Sequence, residues 1–276
     1  MIGRKGLVGL SLLCAVAFCA LAAPNAIALK GTTAFTCAFE KPSFDFSDPH
    51  CDHKVKAGAG AYAHVEIKEN QATKVVVTNE GTKNSTTEST SATLKVILAG
   101  VELDISCTTV QSEGSLKNTK TAAGQMEVEA PAAEVHYSGC KLTKPVNGKG
   151  EEVCQVKEGK ITATATTTTY VSEAGEMGVE FNPPAGKNFT EVTLEDAPGK
   201  SCVLKNTYPI TGTAVGTPTN NGTEQEGSGA TLSFDASHGS LKLGASAASL
   251  TQTLTVKTLP EEGKAAIPIS LTTTAS

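Results

Sequence analysis

Tryptophan is absent from this 276-residue chain, arginine occurs once, at Arg4, and only Tyr62, Tyr137, Tyr170 and Tyr208 carry phenol rings. Each shortage narrows the choice of partner. The guanidinium fork is the usual device for phosphate and carboxylate, and nucleic acid is held by clustered positive charge that releases counterions. With a formal charge of −5 and one arginine, the chain is expected to bind neither nucleic acid nor an anionic membrane. The densest positive group, Lys141, Lys144 and Lys149, is interspersed with Pro145 and glycines as in a solvated loop. Many glycan-binding surfaces stack their ligands on exposed rings, so the scarcity of aromatics lowers the expectation of polysaccharide binding without removing it. Beyond residue 23 no apolar run approaches membrane length, and the chain that follows is expected to be soluble, with no membrane insertion.

What is present begins with an export signal. Arg4 and Lys5 precede an apolar stretch from Leu7 to Ala23, Pro24 breaks it, and Ala26-Ile27-Ala28 supplies a small-x-small cleavage site. Residues 1–28 therefore read as a secretory signal peptide rather than an uncleaved anchor. Cys14 and Cys19 follow Leu13 and Phe18, where a lipoprotein signal wants a small residue, so they read as apolar members of the segment. Cleavage removes two cations and takes the formal charge to −7. The expected location is extracellular or in the cell envelope. There Cys37, Cys51, Cys107, Cys140, Cys154 and Cys202 form a disulfide framework. Cys37 and Cys51 bracket a turn-rich stretch from Lys41 to Pro49, and a local disulfide there is worth about 3 kcal/mol. Among the fifteen connectivities open to six cysteines, sequence adjacency favours Cys140–Cys154 across a hairpin and leaves Cys107–Cys202 over a long loop.

The remainder reads as strands. Leu94, Val96 and Leu98 alternate with small or polar residues, Ala99-Gly100 interrupts, and Val101, Leu103, Ile105 and Cys107 alternate again, which predicts a hairpin with one buried face. Glu102 and Asp104 then point to solvent, as do Glu127 and Glu129 around Val128; each pair could serve as an acid/base carboxylate pair, but charges on the wet face of a strand are the expectation. Further short runs lie at 64–67, 74–77, 135–137, 153–156, 161–171, 179–181, 192–194, 208–215, 232–234, 241–243, 250–256 and 267–271, with a polar loop at 79–91. No segment carries a helical period, and no repeat is convincing. The fold class is all-β: an antiparallel β-sandwich or barrel-like domain with disulfides, comprising an N-terminal disulfide-closed segment (29–54) and a β-rich domain (55–276), which could be continuous with each other.

Four groups of residues could carry chemistry. Asp48, His50, Cys51, Asp52 and His53 hold metal-ligand types, and His50, Asp52 and His53 are the metal candidates, although an oxidised Cys51 is no thiolate ligand and the spacing matches no zinc motif. Asp235, Ser237, His238 and Ser240 suggest a hydrolytic site, but triads are assembled in space and not along the chain. Thr162, Thr164, Thr166 and Thr168 share one strand face and Thr251, Thr253 and Thr255 another, as on ice-binding surfaces, although threonine is also an ordinary residue for a solvated strand face. Gly58-Ala59-Gly60 lacks the context of a phosphate loop, so no cofactor is expected. Leu259-Pro260-Glu261-Glu262-Gly263 departs from a wall-sorting signal at Glu262, and Asn84, Asn188 and Asn221 stand in glycosylation-acceptor sequences. No catalytic residue is assigned.

Thr36-Cys37 through His50-Cys51, Leu103-Asp104-Ile105-Ser106-Cys107, Tyr137-Ser138-Gly139-Cys140 and Tyr208-Pro209-Ile210-Thr211-Gly212 together resemble a group of exported β-rich proteins of soil actinobacteria. The resemblance implies export and a β fold; that group has no assigned activity, so no site residue is carried over. The expectation is a secreted or envelope-associated, non-catalytic β-protein with a structural, surface or ligand-binding role. Its partner would be a surface component or a small ligand. The alternatives are a secreted hydrolase assembled from distant residues and a threonine-ladder ice-binding protein.

Overall fold

The computed structural model describes residues 31–48, 53–79, 92–98, 100–145, 152–172, 174–218, 230–234, 239–259, 266–267 and 269–274; the signal segment lies outside them. In chain order the strands are β1 (Gly31–Phe44), β2 (Gly60–Glu66), β3 (Thr73–Thr78), β4 (Ala92–Leu98), β5 (Val101–Cys107), β6 (Thr109–Lys120), β7 (Met126–Ser138), β8 (Lys141–Lys144), β9 (Cys154–Val156), β10 (Lys160–Val171), β11 (Met177–Asn182), β12 (Thr190–Asp196), β13 (Asn206–Thr211), β14 (Ala214–Pro218), β15 (Ala230–Phe234), β16 (Lys242–Leu243), β17 (Ser246–Thr258) and β18 (Ile269–Thr274). No α-helix occurs among the described residues, and every strand pairing is antiparallel.

Eight strands close on themselves in the order β3-β6-β7-β10-β11-β14-β15-β17 and back to β3, an antiparallel barrel with no free edge around the ring. The first half of β17 leaves this ring and builds a second lobe, pairing β4 on one side and β16 on the other. From β4 the sheet runs on to β5 and β8, and from β16 to β13, β12 and β9, with β12 touching β10 at Thr190 and Ala163. Both lobes share one apolar core. The predicted alternation accounts for it: Ile161, Ala163 and Ala165 of β10 point inward, while Thr162, Thr164 and Thr166 point out.

A separate three-stranded sheet, β18-β1-β2, is anchored in the barrel. Thr32, Thr33 and Ala34 are fully buried, and Ile269 and Leu271 of β18 share an apolar cavity with Val75, Leu116, Val179 and Leu232 of the barrel wall. Thr32 and Thr169 hydrogen-bond through their hydroxyls, and Thr169 Oγ1 also accepts from Val128 N at 2.8 Å. Thus β1 and β18 act as an internal plug. β1 also runs through Lys41-Pro42-Ser43, expected as part of a turn, because a register break between Phe39 and Phe44 accommodates these residues within the strand.

The observed disulfides correct the expected pairing: Cys107 is bonded to Cys140 and Cys154 to Cys202. β6 and β7 form one long hairpin whose base pairs Thr109 with Ser138, which brings the residues just outside it, Cys107 and Cys140, side by side. β8 and β9 do not pair with each other; β9 joins β12, opposing Cys154 to Asp196, and Cys202 lies in the turn that follows. Cys37 is also in disulfide form, while Cys51 lies outside the described residues.

Asp104 is a second correction. Its side chain is 12% exposed rather than solvated, with Oδ2 3.5 Å from Lys95 Nζ and Oδ1 without a hydrogen-bond partner. Lys95 of β4 and Lys144 of β8 are its cross-strand neighbours, so β5 lies between two strands at this point and its outer face is covered by their long side chains. Glu102, nearer the open end, remains exposed and pairs with Lys144 at 2.9 Å.

Candidate functional site

A one-residue bulge decides what the barrel shows to solvent. Against β10, Ala165 faces Ala133 and Thr167 faces Ala130; against β6, Ser112 faces Val135 and Lys117 faces Glu129. On both sides β7 carries one residue too many, and the exposed Pro131, which cannot donate to a ladder, lies within this stretch. The extra residue reverses the facing of the strand. Val128 points inward before it and Tyr137 after it, so Glu127 and Glu129 share the outer wall with Glu134 and His136.

Two hollows flank Thr168 on that wall. One, of about 420 Å³, lies at the bulge between Lys117, Glu129, Pro131 and Thr166. The other, of about 500 Å³, is formed by Glu127, Thr168, Tyr170, Glu180, Thr213, Val215 and Ser240. The cross-strand register explains why they adjoin at Thr168: Lys117, Glu129, Thr168, Glu180 and Val215 are successive partners across β6, β7, β10, β11 and β14. The interior offers less, since its cavities of about 30 and 80 Å³ are almost wholly apolar and far below the size of ordinary ligand pockets.

Tyr170 stands 41% exposed, the only tyrosine so exposed among the described residues. Its cross-strand partner is Gly178, and a Cβ there would overlap the phenol ring, so the ring lies across the glycine. Partial burial, then the charges of Glu180 and Glu176, raise the phenol above its ordinary range, keeping it a neutral hydroxyl. Glu127 is also raised, first by burial, then by the charge of Glu129 and a hydrogen bond with it. The two carboxyls, two residues apart on one face of β7, thus act on each other, where the expectation favoured charges on a wet face over a paired-carboxylate site. Glu129 is held in turn by Lys117 at 3.2 Å, and Glu180 by Asn182 Nδ2 at 3.1 Å. Ser240 Oγ accepts from Thr213 N at 3.1 Å and lies 2.9 Å from Thr213 Oγ1, which pins two loops at the rim.

The groups singled out by sequence are scattered by comparison. His50 and Asp52 lie outside the described residues; His53 is 79% exposed, with its backbone N–H on Asp48 Oδ2 at 2.8 Å and its ring at 3.4 Å. No metal-holding group of three side chains occurs among the described residues. Asp235, Ser237 and His238 also lie outside them. His64 stacks on Phe46, and His136 lies near Glu134 and Thr162. Thr255 is buried, so the second threonine array is not an exposed ladder along its whole length. The groove itself was hidden in the sequence because ring closure assembles it from five strands. Its traces were a tyrosine standing where the outward threonines of β10 would continue, and a glycine inside a strand, which marks a close approach.

Fold and surface together define an all-β, disulfide-linked protein built on a plugged eight-stranded barrel with a polar groove on its outer wall. Comparison with family models, with curated proteins and with solved structures finds no match to this chain.

Proposed function

We propose that the chain is an exported, non-catalytic β-protein that holds a ligand in the groove around Tyr170. The observation that carries this reading is the exposed phenol fixed across Gly178, in a hollow whose size falls within the range of ligand sites. Two disulfides are compatible with an extracellular location, and the signal segment supports export. The engagement of Ser240 with Thr213 supports a non-catalytic role, since that hydroxyl serves to fasten two loops.

A secreted hydrolase is the second reading, favoured by one observation, the contact of Glu127 with Glu129 and the raised affinity of Glu127 for its proton. Purified protein from which the signal has been cleaved would be assayed against ester, peptide and glycan substrates, with ligand-induced thermal shifts measured in parallel. The expected result is no turnover, and a shift that disappears in Tyr170→Ala. Turnover abolished by Glu127→Gln would overturn the non-catalytic reading.

A further inference from the structure

Resting on the groove reading above, we infer that the ligand class is a glycan strand, neutral or amino-bearing, laid across the strands of the barrel. The row from Lys117 to Val215 crosses five of the eight strands, at the usual spacing an arc of about 19 Å that bends with the barrel wall, and the hollow around Tyr170 covers its part from β7 to β14. Such a track suits a short run of linked pyranose rings better than a compact metabolite. The lining is chemically matched. A pyranose presents an apolar C–H face and a rim of hydroxyls; Tyr170 offers a flat ring that rests on Gly178 and stays 41% exposed. Glu127 and Glu180 supply acceptors for sugar hydroxyls, and Thr168, Thr213 and Ser240 supply hydroxyls that both donate and accept.

The alternatives fit less well. Anionic glycans and nucleic acids would meet the carboxylates of Glu127, Glu129 and Glu180 with Lys117 as the cation at one end, already held by Glu129. A lipid chain would need a continuous apolar trough; the hollow at the bulge carries Leu116, Ala130 and Pro131, but the one around Tyr170 is lined by Glu127, Glu180, Thr168, Thr213 and Ser240. A peptide adding a strand would need a sheet edge, and closure of the barrel leaves none at this wall.

The test is retention of the signal-cleaved protein on insoluble cellulose, chitin and chitosan, and its retardation in native gels containing laminarin or soluble starch, with polygalacturonate and heparin as anionic probes. Wild type is expected to bind at least one neutral or amino-bearing polymer and neither anionic one. Tyr170→Ala and Glu180→Gln should weaken binding tenfold or more, Tyr170→Phe should retain it, and Val203→Ala, at a site 87% exposed and not among the groove-lining residues, should not change it. Circular dichroism and melting temperature identify any variant that fails to fold. Binding to chitosan alone assigns the amino-bearing arm. No retention on any glycan overturns the inference; if a thermal shift with another compound is still lost in Tyr170→Ala, the groove stands and only the ligand class falls. Glycan binding untouched by both Tyr170→Ala and Glu180→Gln overturns the groove as the site.

Discussion

Asn118 hydrogen-bonds both backbone polar groups of Ala34: its Oδ1 accepts from Ala34 N at 2.8 Å and its Nδ2 donates to Ala34 O at 3.0 Å. The same Nδ2 also donates to Ile67 O at 2.6 Å. One side chain of β6 thus fastens β1 and the end of β2 together. Asn118→Ala should leave Ala34 N and Ile67 O without the partners Asn118 supplies, while Ala34 O keeps the bond from Ile67 N at 3.0 Å, and should destabilise the protein by about 3 kcal/mol. Asn118→Asp keeps the acceptor but loses both donors, and should be no better. Chemical denaturation measures the loss, and a cost within about 0.5 kcal/mol, typical of surface substitutions, would show that the plug is held by apolar contact alone.

The disulfides connect residues 33 and 48 apart in sequence. In the chain-entropy model the Cys107–Cys140 link is worth about 3.5 kcal/mol, so a paired Cys107→Ser and Cys140→Ser variant should lose roughly that much. Peptide mapping under non-reducing conditions should recover fragments joining Cys107 to Cys140 and Cys154 to Cys202. Recovery of Cys140 joined to Cys154 would refute the hairpin geometry at the base of β6 and β7.

Asp196 ties down the turn that carries Cys202. Its carboxylate accepts from Lys205 Nζ at 2.7 Å and from Cys202 N at 2.9 Å, and these bonds lower its affinity for protons, Lys205 contributing most. A carboxyl lowered in the folded state contributes stability that is complete above its unfolded value, about pH 4, and fades as pH falls through the folded one. Asp196→Asn should therefore cost stability at neutral pH and nothing once the medium is acid enough to protonate the wild type. The melting temperatures of the two proteins, followed from pH 7 to pH 2, should converge; a constant gap would mean that the carboxylate's charge is irrelevant to the turn.

How far the sequence reveals this architecture depends on which face of each strand carries the message. The β4–β5 hairpin was legible because its inward positions are apolar and Gly100, at φ +82°, makes the turn. β6 was not, since several of its inward positions are polar: Ser112 is buried by donating to Glu134 O at 2.7 Å, and Asn118 by serving β1. Alternation cannot register a core position filled by a satisfied polar group. Asp104 misled for the converse reason, an outward residue covered by neighbours that strand periodicity does not see. The run from Tyr208 to Val215 divides into two strands at Gly212, φ +91°, whose close approach to Ser240 O only the folded chain displays.

Pro131 permits a test of the bulge by residue count. Pro131→Ala keeps the extra residue and should cost under about 1 kcal/mol, since the side chain is exposed. Deleting Pro131 removes the offset, so either Val128 or Val135 and Tyr137 must face the wrong way, because a one-residue shift exchanges the two faces of a strand. The deletion should abolish cooperative unfolding while the substitution preserves it. Equal melting curves for the two variants would mean that β7 tolerates either register.

Glu127 provides a pH-dependent prediction of the opposite sign to Asp196. Burial and the neighbouring Glu129 make it harder to ionise in the folded chain than in the unfolded one, so the folded state binds more protons between the two values. Stability therefore falls as pH rises through that window, and the full penalty applies above it. Glu127→Gln keeps a hydrogen-bond donor toward Glu129 and removes the charge. The variant should melt at a higher temperature than wild type at pH 8, with the difference closing below about pH 4, where the Glu127 carboxyl is protonated in the folded and the unfolded wild type alike. A difference independent of pH would show that Glu127 ionises freely, and would remove the electrostatic basis of the hydrolase reading together with the contact between the two glutamates.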